Sequence, residues 1–130
     1  MAKRILIIDD DPSVRMAFDL ALRDLPYEVV LAASGQEGLE AAAASAFDLI
    51  YLDLRMPDMD GVTTLRRLRE AGFAGPIYIV TAFHKEFLQE LVDARQQGIA
   101  FELLQKPLER DQIIMITRTI VEGAVTVYGN

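Results

Sequence analysis

The 130-residue chain has no cysteine and only one histidine. The first absence excludes disulfides and thiolate metal centres. The second leaves imidazole unable to build a metal cluster, so His84 reads as an exposed loop residue. No apolar run approaches the ~18 residues that a membrane-spanning helix needs. Residues 1–4 (Met-Ala-Lys-Arg) lead straight into a strand-like segment with no cleavable signal pattern, so no membrane association and a cytoplasmic location are expected. Positive charge is also scarce: 13 Lys and Arg face 20 Asp and Glu, a net charge of -7. An acidic domain repels a phosphate backbone, and direct nucleic-acid binding is not expected. The same sign serves solubility, and it also suits a site that collects a divalent cation.

What remains is a well-stocked core. Apolar residues make up 52% of the chain, and a domain of this size buries roughly two-thirds of its unfolded surface. Short apolar runs alternate with amphipathic stretches, with no linker, repeat or low-complexity tract between them. Strands are expected over residues 3–9, 28–33, 47–54, 76–81 and 101–104. Helices are expected over 12–25, 36–45, 62–71, 85–97 and 108–122. Asp11 and Pro12 give the first helix an N-cap and a proline at its first position. Phe87, Leu88, Leu91 and Val92 share one face of the fourth. Arg66, Arg67 and Arg69 read as a solvated face of the third.

Five strand–helix units with continuous apolar strands predict an α/β fold, a parallel sheet covered on both faces. In such doubly wound sheets, ligands bind outside the carboxyl ends of the strands, where strand order reverses. The residues expected there are Asp9, Asp10 and Asp11 after the first strand, Asp53 after the third, Thr81 after the fourth, and Lys106-Pro107 after the fifth. Each has an ordinary reading: Asp11 as an N-cap, Thr81 as a strand-end residue, Lys106 as a surface charge. Asp53 is harder to set aside, because an unpaired carboxylate after a buried strand is costly. Clustered carboxylates suit Mg2+, a hard cation that takes oxygen ligands. A carboxylate beside such a metal can act as a nucleophile towards phosphorus, with an ammonium group neutralising the transferred charge.

Four segments carry a family resemblance: ILIIDDDPSVR at 5–15, FDLIYLDLRMPDMDG at 47–61, IYIVTA at 77–82 and LLQKPL at 103–108. In order and placement they resemble the receiver domain of two-component response regulators, of the chemotaxis-receiver kind, over essentially the whole chain. The resemblance implies a flavodoxin-like sheet of strand order 2-1-3-4-5 with five helices, spanning residues 1–122, with 123–130 as a tail or the start of a linker. It implies Asp53 as the phosphoacceptor. Asp10 is then a direct Mg2+ ligand, Asp9 acts through water, and the Arg55 carbonyl completes the protein ligands. Thr81 is the switch hydroxyl. Lys106 pairs with the phosphoryl group and precedes a cis bond to Pro107, while Met56, Pro57 and Gly61 shape the loop after the acceptor. The implied donor is a sensor histidine kinase or a histidine phosphotransfer protein, and the implied output is an unidentified protein or domain outside this chain. Such a domain is a switch that takes part in its own phosphorylation and dephosphorylation, not an enzyme in the usual sense.

The chain departs from the family pattern at Leu103, where a Tyr or Phe is usual, and the interval 98–106 is one residue longer. A bulge that brings Phe101 into that place is one expectation. Movement of Leu103 would bias a switch by only ~1 kcal/mol, against the ~5.5 kcal/mol that a full population shift needs. The loop after Thr81 and the longer segment before Lys106 are therefore expected to carry more of the change. Three rival readings are weaker. A haloacid-dehalogenase-type phosphatase needs an acid two residues after its nucleophile, and Arg55 stands there. A nucleotide or flavin module needs a glycine-rich first loop, and this one is acidic. A degenerate receiver would lack the five-residue set, which is intact.

Overall fold

The computed structural model describes residues 2–82 and 84–123, apart from the side chain of residue 84. The expected tail at 123–130 and the expected exposure of His84 thus fall outside it, Gly123 excepted. The elements in chain order are β1 (Lys3–Ile8), α1 (Pro12–Leu22), β2 (Tyr27–Ala32), α2 (Gly35–Ala44), β3 (Leu49–Leu52), α3 (Gly61–Glu70), β4 (Ile77–Thr81), a 3-10 turn (His84–Phe87), α4 (Leu88–Gln96), β5 (Glu102–Gln105) and α5 (Arg110–Glu122). The strands form one parallel sheet in the order β2-β1-β3-β4-β5. This is the expected flavodoxin-like α/β fold. No helix among the described residues is long and apolar enough to cross a membrane.

The apolar strands fill two cores by simple alternation. Leu6, Ile8, Ile50 and Leu52 face α2, α3 and α4, with Leu65, Leu68, Leu91 and Phe101. Ile5, Ile7, Leu49 and Tyr51 face α1 and α5, with Phe18, Leu22, Ile113 and Val121. β3 is buried along its whole length, as a central strand with helices on both faces must be. The edge strands β2 and β5 are only partly covered. The second core holds one polar pair, the hydroxyls of Tyr51 and Thr117, 2.7 Å apart. Burial pushes the Tyr51 hydroxyl well above its ordinary pKa. The pair joins the strand that leads to Asp53 to α5.

Four expectations need correcting. α1 stops at Leu22, short of 25, and the chain turns through a bond from Leu25 N–H to the Leu22 carbonyl. The fourth helical stretch divides into the 3-10 turn and α4, which begins at Leu88 with Phe87 at its N-cap position and no side-chain cap. Leu91 is buried there, but Leu88 and Val92 remain 57% and 39% exposed, because α4 flanks the edge strand β5 and has no further layer over it. Arg69 is no solvated residue. It donates to the carbonyls of Phe73 and Gly75 at 2.8 and 2.7 Å and to that of Ala100 at 2.7 Å, tying the segments that lead into β4 and β5. Finally, β5 carries no bulge. Leu103 pairs with Ile79 in unbroken register, and Phe101 lies buried before the strand with the Arg95 guanidinium 4.2 Å from its ring centre. Before the strand, Gly98 (φ 82°) closes α4 through bonds from Gly98 and Ile99 N–H to the Arg95 and Ala94 carbonyls.

The buried hydroxyl pair yields a test. Thr117→Val should strand the Tyr51 hydroxyl and cost about 1–3 kcal/mol in urea unfolding, whereas adding Tyr51→Phe should recover part of that loss. Additive losses in the double variant would show that the two hydroxyls do not act as a pair.

Candidate functional site

Strand order reverses between β1 and β3, and their carboxyl ends lie side by side: Asp53 N–H donates to the Ile8 carbonyl at 2.9 Å. That bond sets Asp53 beside the acidic run after β1. Asp9 and Asp53 are 3% and 6% exposed, and Asp10 is open to solvent. One carboxylate oxygen from each of the three lies within 4.8 Å of the others. Asp11 stays out of this group. It caps α1, accepting from Ser13 N–H at 2.9 Å and from the Ser13 hydroxyl at 2.7 Å, and the hydroxyl bond holds its pKa below the ordinary value.

Lys106 enters from the end of β5. Its Nζ lies 2.8 Å from Asp9 Oδ2 and 3.4 Å from Asp53 Oδ1. Its backbone N–H meets the Thr81 carbonyl at 3.1 Å, and the bond to Pro107 is cis. Burial pulls the Lys106 pKa down, but the hydrogen bond and charge of Asp9, then those of Asp53, hold it above the ordinary value. Asp53 is pushed the other way. Burial first, and the Asp9 charge second, raise its carboxyl to about 6, although Lys106 opposes both. An open cleft of about 540 Å³ is lined by Asp9, Asp10, Asp53, Arg55, Ala82 and Lys106. Thr81 ends β4 beside Gln105 and is 1% exposed, and its neighbour Ala82 lines the cleft.

Two neighbours of the cleft matter more than the sequence suggests. Arg15, one turn into α1, donates from Nη1 to the Asp9 carbonyl at 2.8 Å. Helical side chains lean towards the N-terminus, so its spacing from the Asp11 cap carried the signal. Gly61 was read only as a loop-shaping residue, yet a Cβ there would lie 2.2 Å from the Asp53 carbonyl oxygen. Any larger residue would displace the Asp53 backbone.

The chain matches the family model described as response regulator receiver domain over residues 5–118. It belongs to that family. This receiver is 35% identical over 111 residues to the transcriptional regulatory protein DltR of Streptococcus agalactiae, covering 85% of this chain and 48% of that protein. It is 38% identical over 109 residues to the transcriptional regulatory protein ZraR of Escherichia coli, covering 84% of this chain and 24% of that one. The receiver thus spans half or less of these curated relatives. Among solved structures, a response regulator receiver domain protein from Methanospirillum hungatei superposes with a TM-score of 0.83 at 26% identity, covering 95% of this chain and 96% of the other. A chemotaxis protein of Vibrio cholerae superposes at 0.77 and 28% identity, covering 92% and 99%. The receiver is therefore a domain of the two-component response regulator family, with its aspartates grouped as a hard divalent cation requires.

The raised Asp53 pKa fixes a pH dependence. The folded state holds this proton more tightly than the unfolded chain does, whose value is near 3.8. That contribution is fully present below about pH 4 and is lost as pH rises through about 6, by up to roughly 3 kcal/mol. Asp53→Asn should therefore melt higher than the parent at pH 7.5 without metal, and the gap should close near pH 4. A constant gap across that range, read by thermal denaturation, contradicts the assignment.

Proposed function

We propose that this receiver is a phosphoacceptor switch of a two-component phosphorelay, charged on Asp53 by a sensor histidine kinase or a histidine phosphotransfer protein. The observation that carries the reading is the Asp53 carboxylate itself: buried, beside Asp9 and Asp10, and 3.4 Å from the Lys106 ammonium. An Asp53 oxygen attacks phosphorus, forming the O–P bond as the P–N bond of a protonated phosphohistidine breaks. The bonding pair leaves with the nitrogen as neutral imidazole. Lys106 Nζ follows a phosphoryl oxygen, and the Thr81 hydroxyl, at the adjacent strand end, hydrogen-bonds another once the loop moves it towards the cleft. The receiver so described promotes only its own phosphorylation and hydrolysis.

The donor set fits Mg2+, with only carboxylates and a carbonyl on offer and a carboxyl whose charge is disfavoured until a cation joins it. Asp10, Asp53 and the Arg55 carbonyl would hold the ion, and it would neutralise charge on the phosphoryl oxygens. Both Asp9 oxygens already have partners, Asp11 N–H at 2.9 Å and Lys106 at 2.8 Å, which supports a role through water. The changed surface is read by an output protein or domain outside this chain, and the relay operates in the cytoplasm.

Phosphoramidate or acetyl phosphate with Mg2+ should add one phosphoryl group by intact mass, and Asp53→Asn should abolish the addition. Labelling that persists in the variant places the acceptor elsewhere. In Mg2+ titrations, Asp10→Asn should weaken binding well beyond Asp11→Asn, because Asp11 is committed to its cap; equal losses would put the ligand register in error.

A further inference from the structure

Arg55 lines the cleft two residues after the acceptor, yet its guanidinium turns out to Glu86 on the 3-10 turn. One nitrogen, Nη2, lies 2.9 Å from Glu86 Oε1 and 3.1 Å from Oε2. The partners stand 31 residues apart in sequence. The pair therefore straps the loop after Asp53 to the 3-10 turn that follows β4. Beyond the strap, α4 begins without a side-chain cap.

The strap is of a kind that exchanges easily. Its side chains are 57% and 45% exposed, so water and salt screen the pair. Inside the cleft, Lys106 already serves Asp9 and Asp53, and Arg55 is a second cation, held at the rim. A phosphoryl group on Asp53 would add negative charge and further acceptor oxygens to a less exposed place. A guanidinium suits such oxygens well, since its planar fork can hold two at once.

We propose that the Arg55–Glu86 pair is a phosphorylation-sensitive latch. The Arg55 guanidinium exchanges Glu86 for oxygens of the phosphoryl group, and the 3-10 turn loses its tie to the acceptor loop. The inference rests on the reading of Asp53 as acceptor and adds to it a specific lever, outside Thr81 and Leu103. Loosening Glu86 also turns the guanidinium towards the phosphoryl group while it transfers, where its charge lowers the barrier.

The test compares the parent chain with Glu86→Gln, using phosphoramidate and Mg2+ as the probe. Hydrogen–deuterium exchange of the peptide spanning 84–87 should quicken when the parent is phosphorylated. In Glu86→Gln it should be fast beforehand and change little on phosphorylation. The variant should also take up phosphate about two- to fivefold faster at low salt, the range that an exposed ion pair allows, and the advantage should vanish at high salt. If the parent labels normally while the variant exchanges and labels as the parent does, the latch is wrong and the acceptor reading stands. If the parent gains no mass, the acceptor reading fails and the latch falls with it.

Discussion

Two carboxylates are buried side by side at the end of a hydrophobic sheet, and the rest of the molecule is arranged around that conflict. Asp9 and Asp53 are almost wholly withdrawn from water, where like charges repel and solvation no longer offsets the repulsion. Lys106 relieves part of it, closer to Asp9 than to Asp53. Burial first, and the Asp9 charge second, still push the Asp53 carboxyl up to about 6. A hydrophobic residue at 53 would suit the fold better. The conflict eases only when positive charge joins the pair, which a divalent cation would supply.

Holding such a conflict in place requires a stiff frame. β3 is buried along its whole length and delivers Asp53 from between β1 and β4. The backbone behind Asp53 is so close to Gly61 that no Cβ fits there, so Asp53 cannot retreat towards α3. Asp9 is pinned from three directions: its carboxylate by Asp11 N–H and Lys106, its carbonyl by Arg15. Tyr51, two residues before Asp53, anchors the same strand to α5 through Thr117. These contacts leave the carboxylates little freedom to relax apart, and repulsion is retained as a bias on chemistry.

The sheet and the acid positions were legible because they rest on local signals: runs of Ile, Leu and Val, acids directly after them, and Asp11-Pro12 opening a helix. The strand order came from resemblance, since β-pairing is a long-range property that alternation does not encode. The failures have a common physical cause. Arg69 looked solvated because its partners are backbone carbonyls of Phe73, Gly75 and Ala100, and carbonyls leave no mark in a sequence. Leu88 and Val92 looked like core because helical spacing reports an apolar face without saying whether anything covers it. Phe101 was a candidate for the aromatic position only while the register of β5 was open. Unbroken pairing with β4 closed that option.

The contrast between interior and rim bears on how such a domain can switch. Around Asp53 the contacts are buried and mutually dependent, and close-packed interiors resist gradual change. At the rim, Arg55 meets Glu86 in solvent, and α4 starts uncapped beside an edge strand. Local stability is low where backbone is exposed and contacts are few, and moving segments are drawn from such regions. A charge change at Asp53 cannot easily rearrange β3, which is locked on both faces. It can shift the weaker contacts that border the cleft. A rigid centre ringed by weak contacts would pass a change of charge on to the periphery, because the periphery holds the contacts that cost least to break.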